Sequence, residues 1–189
     1  NSSPPRDSVC NTSYLLDTLA PFQLGCFGLA NNHIMDLSNG LKCTTDFFES
    51  QSIPFFGAGA SLQDASRHLI LDNFILVGFG WSPIGCKLAS HHGPGVNPLI
   101  TSHVISTVQS LILKYPDHHI VPVLHWNYEF ELYPQPAHRV LAHKLADLGV
   151  RAVIGHHPHI PSHIEFHNSV PIVYSLGNFA FSYGKFFQN

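Results

Sequence analysis

The stretch "VRAVIGHHPHIPSH", Val150 to His163, decides how this chain is read. A short, mostly apolar run stops at Gly155, and His156, His157 and His159 then follow around Pro158. Such a run bounded by a glycine reads as a buried strand. Imidazole is the commonest neutral metal ligand and the ordinary proton carrier near pH 7, so three of them at a strand end point to chemistry. The same cluster also reads as a polar turn, and the stretch alone leaves both open.

Working outward, the arrangement recurs. "LGCFGLA", Leu24 to Ala30, is an apolar strand that leads into Asn31, Asn32 and His33, and "HHIVPVLHW", His118 to Trp126, places His125 at the end of another. Between such runs lie helical patterns. Leu37, Leu41 and Phe48 share a face in "LSNGLKCTTDFFESQ"; Ile100, Val104, Val108 and Leu111 repeat at i, i+4, i+8 and i+11; Leu141, Leu145 and Leu148 line a helix that Gly149 stops. "SYLLDTLAPF", ended by Pro21, reads as a short helix and "IPFFGAG" as a strand, while Asp72-Asn73 and His167-Asn168-Ser169 mark hairpins. This alternation predicts an α/β layered sheet, in which functional groups gather where strand C-termini meet loops.

The 189 residues, 44% of them hydrophobic, suit one domain with a sizeable core. A net charge of -3 offers no footprint for nucleic acid and no polybasic membrane patch. Fifteen histidines outnumber the twelve acids and the nine bases, so imidazole dominates titration near neutrality. Cys10, Cys26, Cys43 and Cys86 form no C-x-x-C pair, which argues against a cysteine zinc site or a disulfide scaffold. No run approaches the ~18 apolar residues of a membrane span, and "NSSPPRDSVCNTS" lacks the order of a signal peptide. Asn1 and Asn11 head N-x-S/T sequons, taken as chance matches.

Four blocks, "LANNHIMD", "PVLHWNYEFELYP", "VIGHHPHI" and "PIVYSLGNFAF", in this order, resemble the poly-γ-glutamate capsule-synthesis proteins of the CapA/PgsA type, a branch of the calcineurin-like dinuclear metallophosphoesterases. The resemblance covers about Leu24 to Ser182. It implies a layered α/β sandwich and a metal-dependent hydrolase site acting on a phosphoester or on a polyanionic polymer, in a cell-surface setting. By that resemblance Asn32, His125 and His157 are ligands of one metal, and His159 of another. His33 is the acid for the leaving group, with Asp36 orienting it. His156 and Glu129 are neighbours that support the site or contact substrate. Imidazole and amide ligands suit manganese, iron or zinc better than calcium.

Each residue also has a plainer reading. Asn32 suits a helix N-cap, His125 suits a core histidine beside Trp126, and Glu129 suits a solvated loop carboxylate. His163 and His167 fit a hairpin as well as the periphery of a site, and His91, His92, His103, His118, His119, His138 and His143 are expected in solvent with no role.

The family also uses an upstream Asp-x-His and a Gly-Asp block, which nothing before Leu24 resembles. Residues 1–23 therefore read as an N-terminal segment of uncertain structure, and 24–189 as the domain without its first β-α-β part. Such a domain presents a sheet edge and an apolar face suited to a missing piece or another chain.

Overall fold

Two apolar runs joined by Asp72 and Asn73 form the expected hairpin, β4 (Leu69–Leu71) and β5 (Phe74–Gly80), with Asp72 turning at φ 52°. The computed structural model describes residues 25–179. Leu24, the helix expected in Ser13–Phe22, both sequons, Cys10 and residues 180–182 lie outside the described residues.

From β5 the chain passes through α3 (Thr101–Lys114), β7 (His119–His125), α4 (Pro136–Asp147) and β8 (Val153–His156) to the hairpin β9 (Ile164–His167) and β10 (Val170–Val173). These strands make a six-stranded sheet in the order β4-β5-β7-β8-β10-β9, parallel in the middle and antiparallel at both edges. The protein is thus a mixed α/β fold.

Period-2 alternation decides what each face meets. Ile75, Val77 and Phe79 of β5 and Leu124 of β7 are fully buried against Val104 and Val108 of α3 and Leu141 and Leu145 of α4. The opposite face, with Leu76, Val123 and Ile154, is only half-buried. Middle strands of a parallel sheet are ordinarily covered on both sides, and here the described residues cover one side thinly.

Among the described residues, the cover on this side comes from a second, smaller core. β1 (Phe27–Gly28) pairs in parallel with β2 (Phe55–Phe56), and β3 (Ala58–Gly59) pairs with β6 (Gly95–Val96). α1 (Gly40–Ser50) buries Leu41 and Phe48 among them, with Phe27 stacked on Phe48 at 4.8 Å, and α2 (Leu62–Ala65) closes the unit. Gly57, at φ 93°, ends β2 and lets its backbone lie against Gly78 of β5, where an added Cβ would meet the Gly78 Cα at 3.2 Å.

Several boundaries differ from expectation. "IPFFGAG" is broken in two by the turn at Gly57, and "LGCFGLA" pairs only over Phe27–Gly28. α1 begins at Gly40, because residues 31–39 form turns that carry Asn32 and His33, so Leu37 is 43% exposed. Ile100 precedes the first turn of α3 and stays exposed. Gly149 does stop α4, at φ 89°.

Candidate functional site

His125 and His156 are the last residues of adjacent parallel strands, β7 and β8, and pair in register. The exit of β1 reaches the same place from the smaller core. There Asn32 is not a helix N-cap, since the helix starts at Gly40 with Asn39 before it, and Asn31 closes the turn instead: its Oδ1 accepts from the backbone N–H groups of His33 and Ile34, both at 2.9 Å. Asn32 is left to reach across 93 positions of sequence, where its Oδ1 accepts from Nε2–H of His125 at 3.0 Å. Its Nδ2 lies 3.3 Å from Nε2 of His33, whose Nδ1 lies 2.8 Å from Asp36 Oδ2. Because the carboxylate only accepts, the His33 proton sits on Nδ1, and its Nε2 receives the Asn32 amide.

His157 and His159 continue the wall. Both have left-handed backbones, φ 104° and 62°, and so do Asn127 and Phe130 in the loop that faces them, with Phe130 N–H donating to Pro158 O at 2.9 Å. Bulky residues held at positive φ cost about 1–3 kcal/mol each and gather at functional sites. The rings of His125 and His157 are 4.9 Å apart, those of His157 and His159 5.9 Å. His159 shares its Nδ1 with Asn178 Oδ1 at 2.9 Å.

Burial, and secondarily the neighbouring imidazoles, takes His125 down to about 3. Burial lowers His156 as well, and it lowers His157 against the opposing charge of Glu129. All three are neutral near pH 7, the form that ligates. Two donors about 2.1 Å from one ion and at right angles to each other lie about 3.0 Å apart, which is the separation of Asn32 Oδ1 and His125 Nε2. The same separation is that of the ordinary hydrogen bond these two atoms make, so His125 offers Nε2 to a cation only as the Nδ1–H tautomer, with the His157 ring beside it. Among the described residues, however, no three His, Cys, Asp or Glu side chains gather closely enough to form a metal cage.

His125, His156, His157 and His159, with Asn31 rather than Asn32, border a cavity of about 450 Å³ between β1-β2 and the sheet face floored by Leu76, Gly78, Val123 and Ile154. Asp36 stays at the surface with His33. Glu129 is exposed but shares a neighbouring cleft with His157. His163 and His167 do not line the cavity: His163 N–H donates to Leu132 O, and His167 Nε2–H donates to Asp147 at 2.7 Å while stacking on His143.

Four expectations of solvent exposure are overturned. His138 is 5% exposed and stacked on Trp126; His103, His118 and His143 are half-buried, His103 with Nε2 2.7 Å from Asn97 Oδ1, His118 edge-on to Tyr115 and His143 with Nε2 2.6 Å from Glu165 Oε1.

Residues 8–183 match the family model described as bacterial capsule synthesis protein PGA_cap. The chain belongs to this family. Two of its PGA_cap relatives are the PGA biosynthesis protein CapA of Bacillus subtilis (strain 168), 35% identical over 161 residues, and the capsule biosynthesis protein CapA of Bacillus anthracis, 30% identical over 165. Each alignment covers 82% of this chain, but only 42% and 40% of the respective relatives, so the chain spans about two fifths of their length. All the candidate site residues, from Asn32 to Asn178, fall inside the span that defines PGA_cap membership. No helix among the described residues is long and apolar enough to cross a membrane.

Proposed function

We propose that this PGA_cap chain carries the histidine wall of a calcineurin-like metallophosphoesterase-type site that serves synthesis or processing of a poly-γ-glutamate capsule polymer at the cell surface. The observation that carries the reading is the Asn32 to His125 contact, which joins two strand ends from different cores beside His156, His157 and His159. Asn32, His125 and His157 would hold one divalent ion, manganese, iron or zinc, and His159 would turn toward a second. A bound ion supplies Lewis-acid activation of water for attack on a phosphoester or a γ-glutamyl amide.

The remaining chemistry belongs to the chain. Protonated His33 donates from Nε2 to a leaving oxygen while Asp36 holds the charged ring. In the neutral ring Nε2 faces the Asn32 amide, itself a donor, so proton delivery requires the ring to swing outward. Its side chain is 67% exposed and free to do so. A missing N-terminal piece or another chain, bearing the acidic ligands, would complete the metal cage by covering the apolar floor at Leu76, Val123 and Ile154.

Metal analysis of the purified protein is the test. His125→Ala and His157→Ala should each lower the bound manganese, iron or zinc, and unchanged metal content in both variants would sink the assignment. A second reading, a polymer-binding or export component without catalysis, is favoured by the exposed aromatic rim of Tyr128, Phe130 and Tyr133. Polymer binding with no hydrolysis of phosphodiester or γ-glutamyl substrates by the metal-loaded protein would select it.

A further inference from the structure

The segment "YSLGN", Tyr174 to Asn178, forms the back wall of the histidine loop, and every step of it is fixed. Tyr174 O accepts from the Trp126 indole at 3.0 Å, and Ser175 O accepts from Ser162 N–H at 3.1 Å. Ser175 Oγ accepts from Gly177 N–H at 3.2 Å, and Leu176 N–H donates to Gly155 O at 3.2 Å. Gly177 turns at φ 74° against Pro161, where a Cβ would lie 2.7 Å from the proline ring. That close approach delivers Asn178 to His159, with Oδ1 2.9 Å from Nδ1, and both residues border the cavity.

An imidazole that donates Nδ1–H carries its lone pair on Nε2, so the group that accepts at Nδ1 selects which nitrogen can ligate. We propose that Asn178 is a positioning residue: its Oδ1 holds His159 as the Nδ1–H tautomer and sets the ring so that Nε2 is the nitrogen offered to a cation. The role of the tautomer in metal binding rests on the function proposed above; the tautomer itself does not. The opposite amide orientation, with Nδ2 donating to Nδ1, would impose the opposite tautomer.

The test uses the full chain, labelled with 15N-histidine, and long-range 1H–15N correlation spectra without metal. The His159 signal is identified by its loss in His159→Gln. Nδ1–H is expected in the wild type and in Asn178→Asp, which keeps the acceptor, and a shift toward Nε2–H is expected in Asn178→Ala. An Nε2–H tautomer in the wild type, or an unchanged His159 signal in Asn178→Ala, overturns the proposal. Cobalt(II) titration by calorimetry is the second arm. Affinity should fall about 10- to 100-fold in Asn178→Ala and recover in Asn178→Asp, and equal affinity in wild type and Asn178→Ala overturns the positioning role. A wild type with the expected tautomer but no cobalt binding upholds the Asn178 contact and overturns the metal reading instead.

Discussion

His138 stands between two indole rings, stacked on Trp126 at 5.0 Å and edge-on to Trp81 at 4.4 Å, and its Nδ1–H donates to Asn127 Oδ1 at 2.8 Å. Burial brings its pKa down to about 4. Between that value and the unfolded value of about 6.5 the unfolded chain holds the extra proton, so stability rises with pH across this window and is lost as pH falls through it. At about 1.4 kcal/mol per pH unit the loss is on the order of 3 kcal/mol. Urea unfolding at pH 7.5, 6 and 5 should show this slope, and His138→Phe should flatten it in part, since burial lowers His68, His103, His125, His156 and His157 in the same direction. An unchanged slope in the variant would refute the assignment. The residues that end strands, His125, His156 and the His157-His159 pair, were legible in sequence because a strand end is a local pattern. His138 and Asn178 were not, because their partners lie 11 and 19 positions away and meet them only in the fold.

Strand β8 owes its place to Gly155. A Cβ there would lie 2.1 Å from Tyr174 O and 2.5 Å from Trp126 Nε1, the two atoms of the buried hydrogen bond that ties β7 to the strand β10 segment. Neither is the far end of a flexible side chain. Gly155→Ala must therefore separate Tyr174 from Trp126, combining an overpacking cost with the loss of a buried pairing, together about 2–5 kcal/mol. It should also shift His156 to His159 out of register. Gly149→Ala is the contrast: φ is 89° but nothing lies within 4 Å, so only the left-handed backbone resists, about 1–2 kcal/mol. Denaturant midpoints should rank Gly155→Ala well below Gly149→Ala, and equal midpoints would contradict the steric account. At this scale the hairpins and long helices could be read from periodicity and turn residues. The length of β1 could not, since "LGCFGLA" offers more apolar residues than its partner has extended backbone before Gly57 turns.

The described residues form two cores, one around the six-stranded sheet and one around β1, β2 and α1, and the candidate site lies where they meet. Apolar contact between them is incomplete, since the cavity separates β1-β2 from the middle of the sheet. A buried polar group spans the gap instead. Asn97, fully buried, donates Nδ2–H to Gly78 O at 2.8 Å and accepts at Oδ1 from Ser66 Oγ at 2.9 Å and His103 Nε2 at 2.7 Å, while its backbone N–H donates to Gly57 O at 2.9 Å. One residue thus links β5, the turn after β2, the end of α2 and the first turn of α3. Asn97→Ala leaves the Gly78 carbonyl and the Ser66 and His103 donors without these partners, at about 1–3 kcal/mol for each group that stays dry. The loss falls on the joint, so native-state hydrogen exchange should lose more protection at Phe56, Ala58 and Val96 of the smaller core than at Val121 and Leu124 of β7. Because Asn32 belongs to the smaller core and His125 to the sheet, the same substitution should loosen their contact and weaken cobalt binding without touching a ligand. Equal loss of protection in both cores would mean that they open as a single unit, and the site's dependence on a polar joint would fall with it.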